Sequence, residues 1–393
     1  MNGRVLITGA RAPAALDLAR SFANAGRETH LADSTPCLMA HASRTPHAVH
    51  AYAPPAADPV QFKRDLERLI AGIQPSLIVP ACEEVFHLAA LARTWPDLRR
   101  RLFAPEFDTL AILHSKRRFV EACQTLGLRA PATWPIDTPN DLEAQLPHAQ
   151  DRVFKREFSR FGDAVLVGPE PETARRQVTI GDASPWIAQQ RLRGREASFY
   201  AVCREGRLTA FCAYASDWRD RGGASYVFEP VEPTVEAALA ASADTLARAL
   251  VRNGQFACDA IVDDAGVPWL IECNPRATSG AHLFDRRAGL ARAMVTAGAM
   301  LTPPDSRVRY LGPALWLIAL PDALAKGRMA AWRAVRREGV EVVGAPGDRR
   351  PRLGAVLDSL TFGARALVSG RSLTQAMTDG IAWDGHALPG AAP

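Results

Sequence analysis

Phe256-Ala257-Cys258-Asp259-Ala260-Ile261-Val262-Asp263-Asp264-Ala265-Gly266-Val267-Pro268-Trp269-Leu270-Ile271-Glu272-Cys273-Asn274-Pro275-Arg276 is the stretch that decides the fold. It reads as a hairpin: a strand, an acidic turn closed by Gly266, and a returning strand. Strict alternation predicts Leu270, Glu272 and Asn274 on one face of the second strand, with Ile271 and Cys273 on the other. Asp259 stands four residues ahead of Asp263, so pairing of the strands would bring it beside Glu272. Two carboxylates and an amide oxygen form a hard, all-oxygen set, suited to one or two Mg²⁺ (or Mn²⁺) ions that also hold nucleotide phosphates. Arg276, just beyond, would grip a transferred phosphate or a carboxylate with its planar fork. A plain hairpin with solvated acids at its tip accounts for Asp263 and Asp264. It does not account for a carboxylate and an amide set between apolar residues.

Upstream of the hairpin, His114-Ser115-Lys116 opens a helix that ends at Gly127-Leu128-Arg129-Ala130-Pro131, and Val153-Phe154-Lys155 reads as a strand with a lysine at its end. The chain has only four lysines (Lys63, Lys116, Lys155, Lys326) against 43 arginines, so two of the four fall at these points. A compact ammonium suits a phosphate where a planar fork is not needed. Ser159-Arg160-Phe161-Gly162 follows as a loop, and Trp186-Ile187-Ala188-Gln189-Gln190-Arg191-Leu192-Arg193-Gly194-Arg195-Glu196 as a strand with a glycine turn.

In this order the segments resemble the ATP-grasp superfamily, which includes biotin carboxylase, carbamoyl phosphate synthetase and D-alanine–D-alanine ligase. The resemblance is strong from Lys116 to Arg276 and loose before it. It implies that Asp259, Glu272 and Asn274 bridge Mg²⁺ to ATP phosphates and that Lys116 and Lys155 contact those phosphates. It further implies that the backbone at Ser159 and Gly162 folds over them, that Gln189, Gln190 and Leu192 lie near adenine, and that Glu196 meets the ribose hydroxyls. Lys155 and Arg276 are the catalytic candidates. The chain departs from the family in three places. Ala257 stands where D-alanine ligases carry an arginine, which assigns that charge to Arg276; the 159–162 loop has a single glycine; and Gln189 replaces a common acid.

Outward from this core, Val5–Thr8 predicts a buried strand, Ala14–Ala25 a helix, and Thr29–Ala32 a second strand ending at Asp33, the opening of a doubly wound sheet. Asp58 is placed to cap a helix running to about Ala71, and Leu77–Val79 predicts a further strand. The fold class expected is α/β: a Rossmann-like N-terminal domain (1–112), a two-subdomain ATP-grasp core (113–303) and a small C-terminal α/β lobe (304–393). In the lobe we expect a strand over Leu315–Leu320, a helix over Met329–Glu338, a helix over Leu353–Val368, and a structured tail around Thr378–Asp384. Thr8-Gly9-Ala10-Arg11-Ala12-Pro13 hints at a dinucleotide-binding turn but lacks a full GxGxxG. Glu83 and Glu84 either face the ligand crevice or simply start a helix. Arg219, Arg221, Gly222, Gly223 and Ser225 form a polar loop suited to a substrate carboxylate; Ser279 and His282 either line the acceptor pocket or make a structural turn.

The formal charge is +5, with the basic residues spread out rather than clustered with aromatics, which argues against a nucleic-acid partner. The longest apolar run, Leu311–Leu320, is too short to span a bilayer, and no signal-peptide pattern is present, so the expected location is the cytoplasm, with no membrane partner. Seven scattered cysteines without a CxxC pair predict reduced, buried thiols. The function expected is an ATP-dependent ligase that activates a carboxylate and joins it to an amine, possible as a homodimer. An NAD(P)-dependent reductase and a non-catalytic ATP-binding module remain the alternatives.

Overall fold

The computed structural model describes residues 3–159, 164–181, 185–219 and 223–388. The chain opens with a parallel sheet of β1 (Arg4–Thr8), β2 (Glu28–Asp33), β3 (Ala48–Ala51) and β4 (Leu77–Pro80), ordered β3-β2-β1-β4. Val5, Leu6 and Ile7 are wholly buried because helices cover both faces. On one face Ala15, Leu18 and Phe22 of the Pro13–Asn24 helix pack on Val5 and Ile7. On the other, Phe62, Leu66 and Ile70 of the Pro59–Ile73 helix pack on Leu6 and Ile78. The Asp58 carboxylate caps that second helix by accepting from the Gln61 N–H, as its position predicted.

Helix Phe107–His114 leads directly into helix Lys116–Thr125, with Ser115 between them as the N-cap of the second. An antiparallel sheet follows: β5 (Thr133–Ile136), β6 (Arg152–Arg156), β7 (Val165–Val167) and β8 (Trp186–Gln190), in the order β5-β8-β6-β7. Its core gathers Ile136, Leu142, Phe154, Trp186 and Ala188. A second antiparallel sheet contains β9 (Arg195–Arg204) and β10 (Arg207–Ala215). After the short strand β11 (Val227–Phe228), it is completed by β12 (Gly254–Val262) and β13 (Pro268–Asn274), in the order β10-β9-β12-β13. One face of this sheet packs Phe199, Phe211 and Phe256 on Phe119 and Leu239 of the Lys116–Thr125 and Pro233–Leu246 helices. The other face joins Tyr200 and Val202 to Leu18 and Phe22, so the N-terminal sheet and the core share one hydrophobic cluster.

The C-terminal lobe is built on β11 with β14 (Arg309–Tyr310) and β15 (Val340–Glu341), the Met329–Glu338 helix and the Pro351–Ser369 helix. Both helices agree with the sequence reading. The strand expected over Leu315–Leu320 does not: this stretch is helical, as a π turn at Leu315–Ala319 running on into Leu320–Ala325. A short apolar run does not reveal its period. Here Leu315, Ala319 and Ala323 are buried at helical spacing, and Gly312-Pro313 supplies the helix start.

The tail then returns to the N-terminal domain. After helix Leu373–Thr378, the Arg11 Nη1 donates to the carbonyls of Met377 (2.9 Å) and Asp379 (3.2 Å), and the Ala56 N–H to that of Gly380 (2.9 Å). Trp383 sits among Phe86, Phe107, His114 and Phe158, with ring centroids 5.0 to 6.0 Å away. All seven cysteines are free thiols, six of them buried.

Candidate active site

Strands β12 and β13 pair so that Asp259 lies opposite Glu272, Cys258 opposite Cys273 and Ala257 opposite Asn274. Beyond Asp259 the register slips, and Ala260 faces Leu270, leaving Ile271 as the extra residue of a bulge. This corrects the alternation expected for β13. Leu270 turns with Cys273 into the helix-covered core, while Ile271, Glu272 and Asn274 line the cleft between the two antiparallel sheets. Ser198, on the neighbouring β9, pairs with Asp259 and donates its hydroxyl to Asp259 Oδ1 at 2.5 Å. Sequence reasoning missed this serine. Its only signal is a place on β9 across from the acid.

The cleft has a volume of about 380 Å³. Lys116, Lys155, Ser159, Gln189, Gln190, Leu192, Glu196, Asp259, Glu272, Asn274 and Arg276 all line it, although they come from five separate stretches of chain. Lys116 begins its helix with Nζ 3.5 Å from Glu272 Oε2 and donates to the Ser159 carbonyl at 2.8 Å. Its backbone is fixed by Ser115, whose hydroxyl bonds the buried Glu157 carboxylate. Lys155 sits on β6, which pairs with both β7 and β8. Gly162 of the expected phosphate loop, with Arg160 and Phe161, lies outside the described residues, as do Arg221 and Gly222.

Charge in the cleft is unevenly held. Burial and the facing Glu272 push the Asp259 carboxyl up to about 7, against the Ser198 hydrogen bond. Burial also opposes charge on Glu272, but the ammonium groups of Lys116 and Lys155 outweigh it and hold that carboxyl down at about 2. Burial brings Lys155 down to about 8, with Glu272 pulling the other way. Two facing carboxylates of this kind do not both ionise readily near neutral pH unless a cation joins them. The donor set, two carboxylates and the Asn274 amide oxygen, therefore fits a hard divalent ion.

Around this centre the remaining candidates divide. Arg276 donates to Asn274 Oδ1 at 3.2 Å and lies 3.7 Å from the buried Glu83, so β13 is tied to the end of β4. Of the two acids weighed there, Glu84 is structural: its Oε1 accepts from Thr8 Oγ1 at 2.7 Å and from the Ala81 and Cys82 N–H groups. Gln189 is buried and gives its amide to Thr133 Oγ1 at 3.1 Å, and Gln190 Oε1 accepts from the Ala132 N–H. Glu196 is on the cleft wall but its carboxylate meets Arg219 at 2.9 Å. Of the polar loop, Arg219, Gly223 and Ser225 reach the cleft, as do Tyr214, Thr278 and Ser279. His282 does not. It is buried in the core and bonds Asp17 at 2.7 Å, in a network with Arg20 and Arg286, so the acceptor-pocket reading of His282 is withdrawn.

No family model and no curated protein matches this sequence. Solved structures do. N5-carboxyaminoimidazole synthase from Aspergillus clavatus, in complex with ADP and 5-aminoimidazole ribonucleotide, matches at 13% identity and TM-score 0.63, covering 82% of this chain and 87% of that one. The biotin carboxylase domain dimer of Hydrogenobacter thermophilus 2-oxoglutarate carboxylase, with MgADP and bicarbonate, matches at 14% identity and TM-score 0.60, covering 79% and 73%. L-amino acid ligase from Bacillus licheniformis matches at 15% identity and TM-score 0.56, covering 75% and 74%. The chain has the ATP-grasp fold: an N-terminal parallel sheet followed by two antiparallel sheets that face each other across a cleft. At these identities the likeness is one of architecture.

Proposed function

We propose that this protein is an ATP-dependent ligase that phosphorylates a carboxylate and transfers the acyl group to an amine, releasing ADP and phosphate. The observation that carries the proposal is the convergence of Asp259 and Glu272 with Lys116 in one cleft, beside Lys155. Asp259, Glu272 and Asn274 would hold Mg²⁺, whose chemistry there is to neutralise charge on phosphate oxygens. Lys116 and Lys155 bring two further positive charges to the same wall and would orient the triphosphate. The substrate carboxylate oxygen attacks the γ-phosphorus, ADP leaves, and the acylphosphate is taken by the amine with loss of phosphate. Arg276 reaches from the metal strand toward the N-terminal domain and would steady the acid. The adenine would lie along Gln189, Gln190 and Leu192.

Geometry at the carboxyl ends of the N-terminal sheet speaks against the reductase reading. In open α/β sheets a dinucleotide lies over the carboxyl ends of the strands. Here those ends carry the buried Arg11–Asp33 pair, 2.6 Å apart, beneath the backbone of Met377–Gly380. A screen of amino acids, alone and in pairs, for ADP release with mass detection of products tests the proposal. ADP release with an amide product supports it. ATP binding without ADP release under any pair of acids and amines would reduce the protein to a binding module.

A further inference from the structure

We propose that the outer face of the C-terminal lobe docks on the surface of an anionic lipid bilayer. The Pro351–Ser369 helix, about 28 Å long at 1.5 Å per residue, is amphipathic in an inverted sense. Its inner face is conventional: Gly354 lies against the backbone of Leu38 and Met39, Phe362 and Ala366 are buried, and Asp358 caps the N–H groups of Leu38 and Met39. Its outer face presents Leu353, Leu357, Leu360, Ala364 and Leu367 at steps of four and three, with Val368 beside them. Exposure of these aliphatic residues reaches 86% at Leu367 and 91% at Val368, and no acid stands among them. The preceding helical segment of the same lobe adds Trp316, Leu317 and Leu324, each about half exposed or more. Isolated exposed leucines are ordinary, but an uncharged stripe running the length of a helix marks a surface that meets something.

Charge identifies what it meets. From Gly312 to Arg371 there are ten lysines and arginines against five acids, an excess equal to the net +5 of the whole chain. Every one of the five acids is engaged: Asp322 by Lys326, Glu338 by Arg337, Glu341 by Arg352, Asp348 by Arg20, and Asp358 at its cap. Among the described residues Arg349, Arg350 and Arg365 have no carboxylate partner, and they flank the leucine stripe near its two ends. A second copy of the chain would bring arginine to arginine in either orientation of a helix pair. A bilayer with anionic headgroups takes the leucines below the headgroup level and pairs the arginines at it, the arrangement of interfacial helices.

Sedimentation of the full chain with vesicles of phosphatidylcholine, with and without phosphatidylglycerol, tests this. The expected result is at least tenfold more bound protein on the anionic vesicles, released by high salt, and lost in the double variant Leu360→Glu/Leu367→Glu. Because both side chains are exposed, that variant should keep its thermal unfolding midpoint. Equal or absent sedimentation with the two vesicle types would overturn the proposal, as would a double variant that still binds. So would a dimer in size exclusion that the double variant splits without any vesicle binding, since a second copy would then own the stripe.

Discussion

Glu272 and Lys155 set how the cleft responds to mutation and pH. Glu272→Gln keeps the size of the side chain and removes the charge that Lys116 meets at 3.5 Å. ADP release should fall by roughly two orders of magnitude or more, the scale of losing one charged group at a transferring phosphoryl, while circular dichroism is unchanged. Full turnover in that variant would sink the metal assignment. Lys155 makes the pH dependence specific. Its ammonium is held down to about 8 chiefly by burial. The protonated form is the one that attracts phosphate, so kcat/KM for ATP should decline as pH rises through about 8, reporting the free enzyme. A Lys155→Arg variant, whose guanidinium does not titrate there, should lose that alkaline limb even if its rate is lower. A wild-type profile flat from pH 7 to 10 would count against Lys155 as a phosphate ligand.

At the level of strands and turns, the slip at Ile271 and the turn at Gly194 fix the geometry of the site. Deleting Ile271 would remove the bulge and leave Asp259 opposite Glu272 and Ala260 opposite Leu270 as consecutive regular pairs. The expected outcome is retained secondary structure with ADP release reduced less than by Glu272→Gln, since the facing acids stay paired and only the Ile271 wall of the cleft is lost. Gly194 joins β8 to β9 at φ +150, and a Cβ there would come within 2.1 Å of the Val262 carbonyl oxygen. Gly194→Ala should therefore destabilise the fold by at least about 1–3 kcal/mol, seen as a lower midpoint in urea; an unchanged midpoint would mean that the turn can relax. These two features also mark where the sequence stopped being readable. Strand identity, the cap at Asp58 and the pairing of Asp259 with Glu272 follow from local pattern and spacing. A bulge does not, because a single extra residue leaves no trace in composition and shifts the alternation only downstream of it. Nor does the helix at Leu315–Ala325, where ten apolar or small residues fit either period. Ser198 reaches the site through pairing of β9 with β12 within one sheet, which no stretch of chain records by itself.

Across the whole molecule, the tail is the contact that links distant parts. Trp383 is enclosed by Phe86 of the N-terminal domain, by Phe107 and His114 of the helix that precedes Lys116, and by Phe158 at the foot of β6. Trp383→Ala should cost about 3–5 kcal/mol, as for a large buried ring, and should raise KM for ATP as well, since His114 lies two residues from Lys116. Unaltered ATP affinity alongside a lower unfolding midpoint would confine the tail to stability alone. The order of synthesis gives this enclosure one more consequence. Arg11 is made some 366 residues before the Met377 carbonyl that it binds. A chain that has not yet reached Met377–Trp383 therefore carries an open N-terminal domain and an unanchored lysine helix, and the cleft takes its shape only after that segment has been translated.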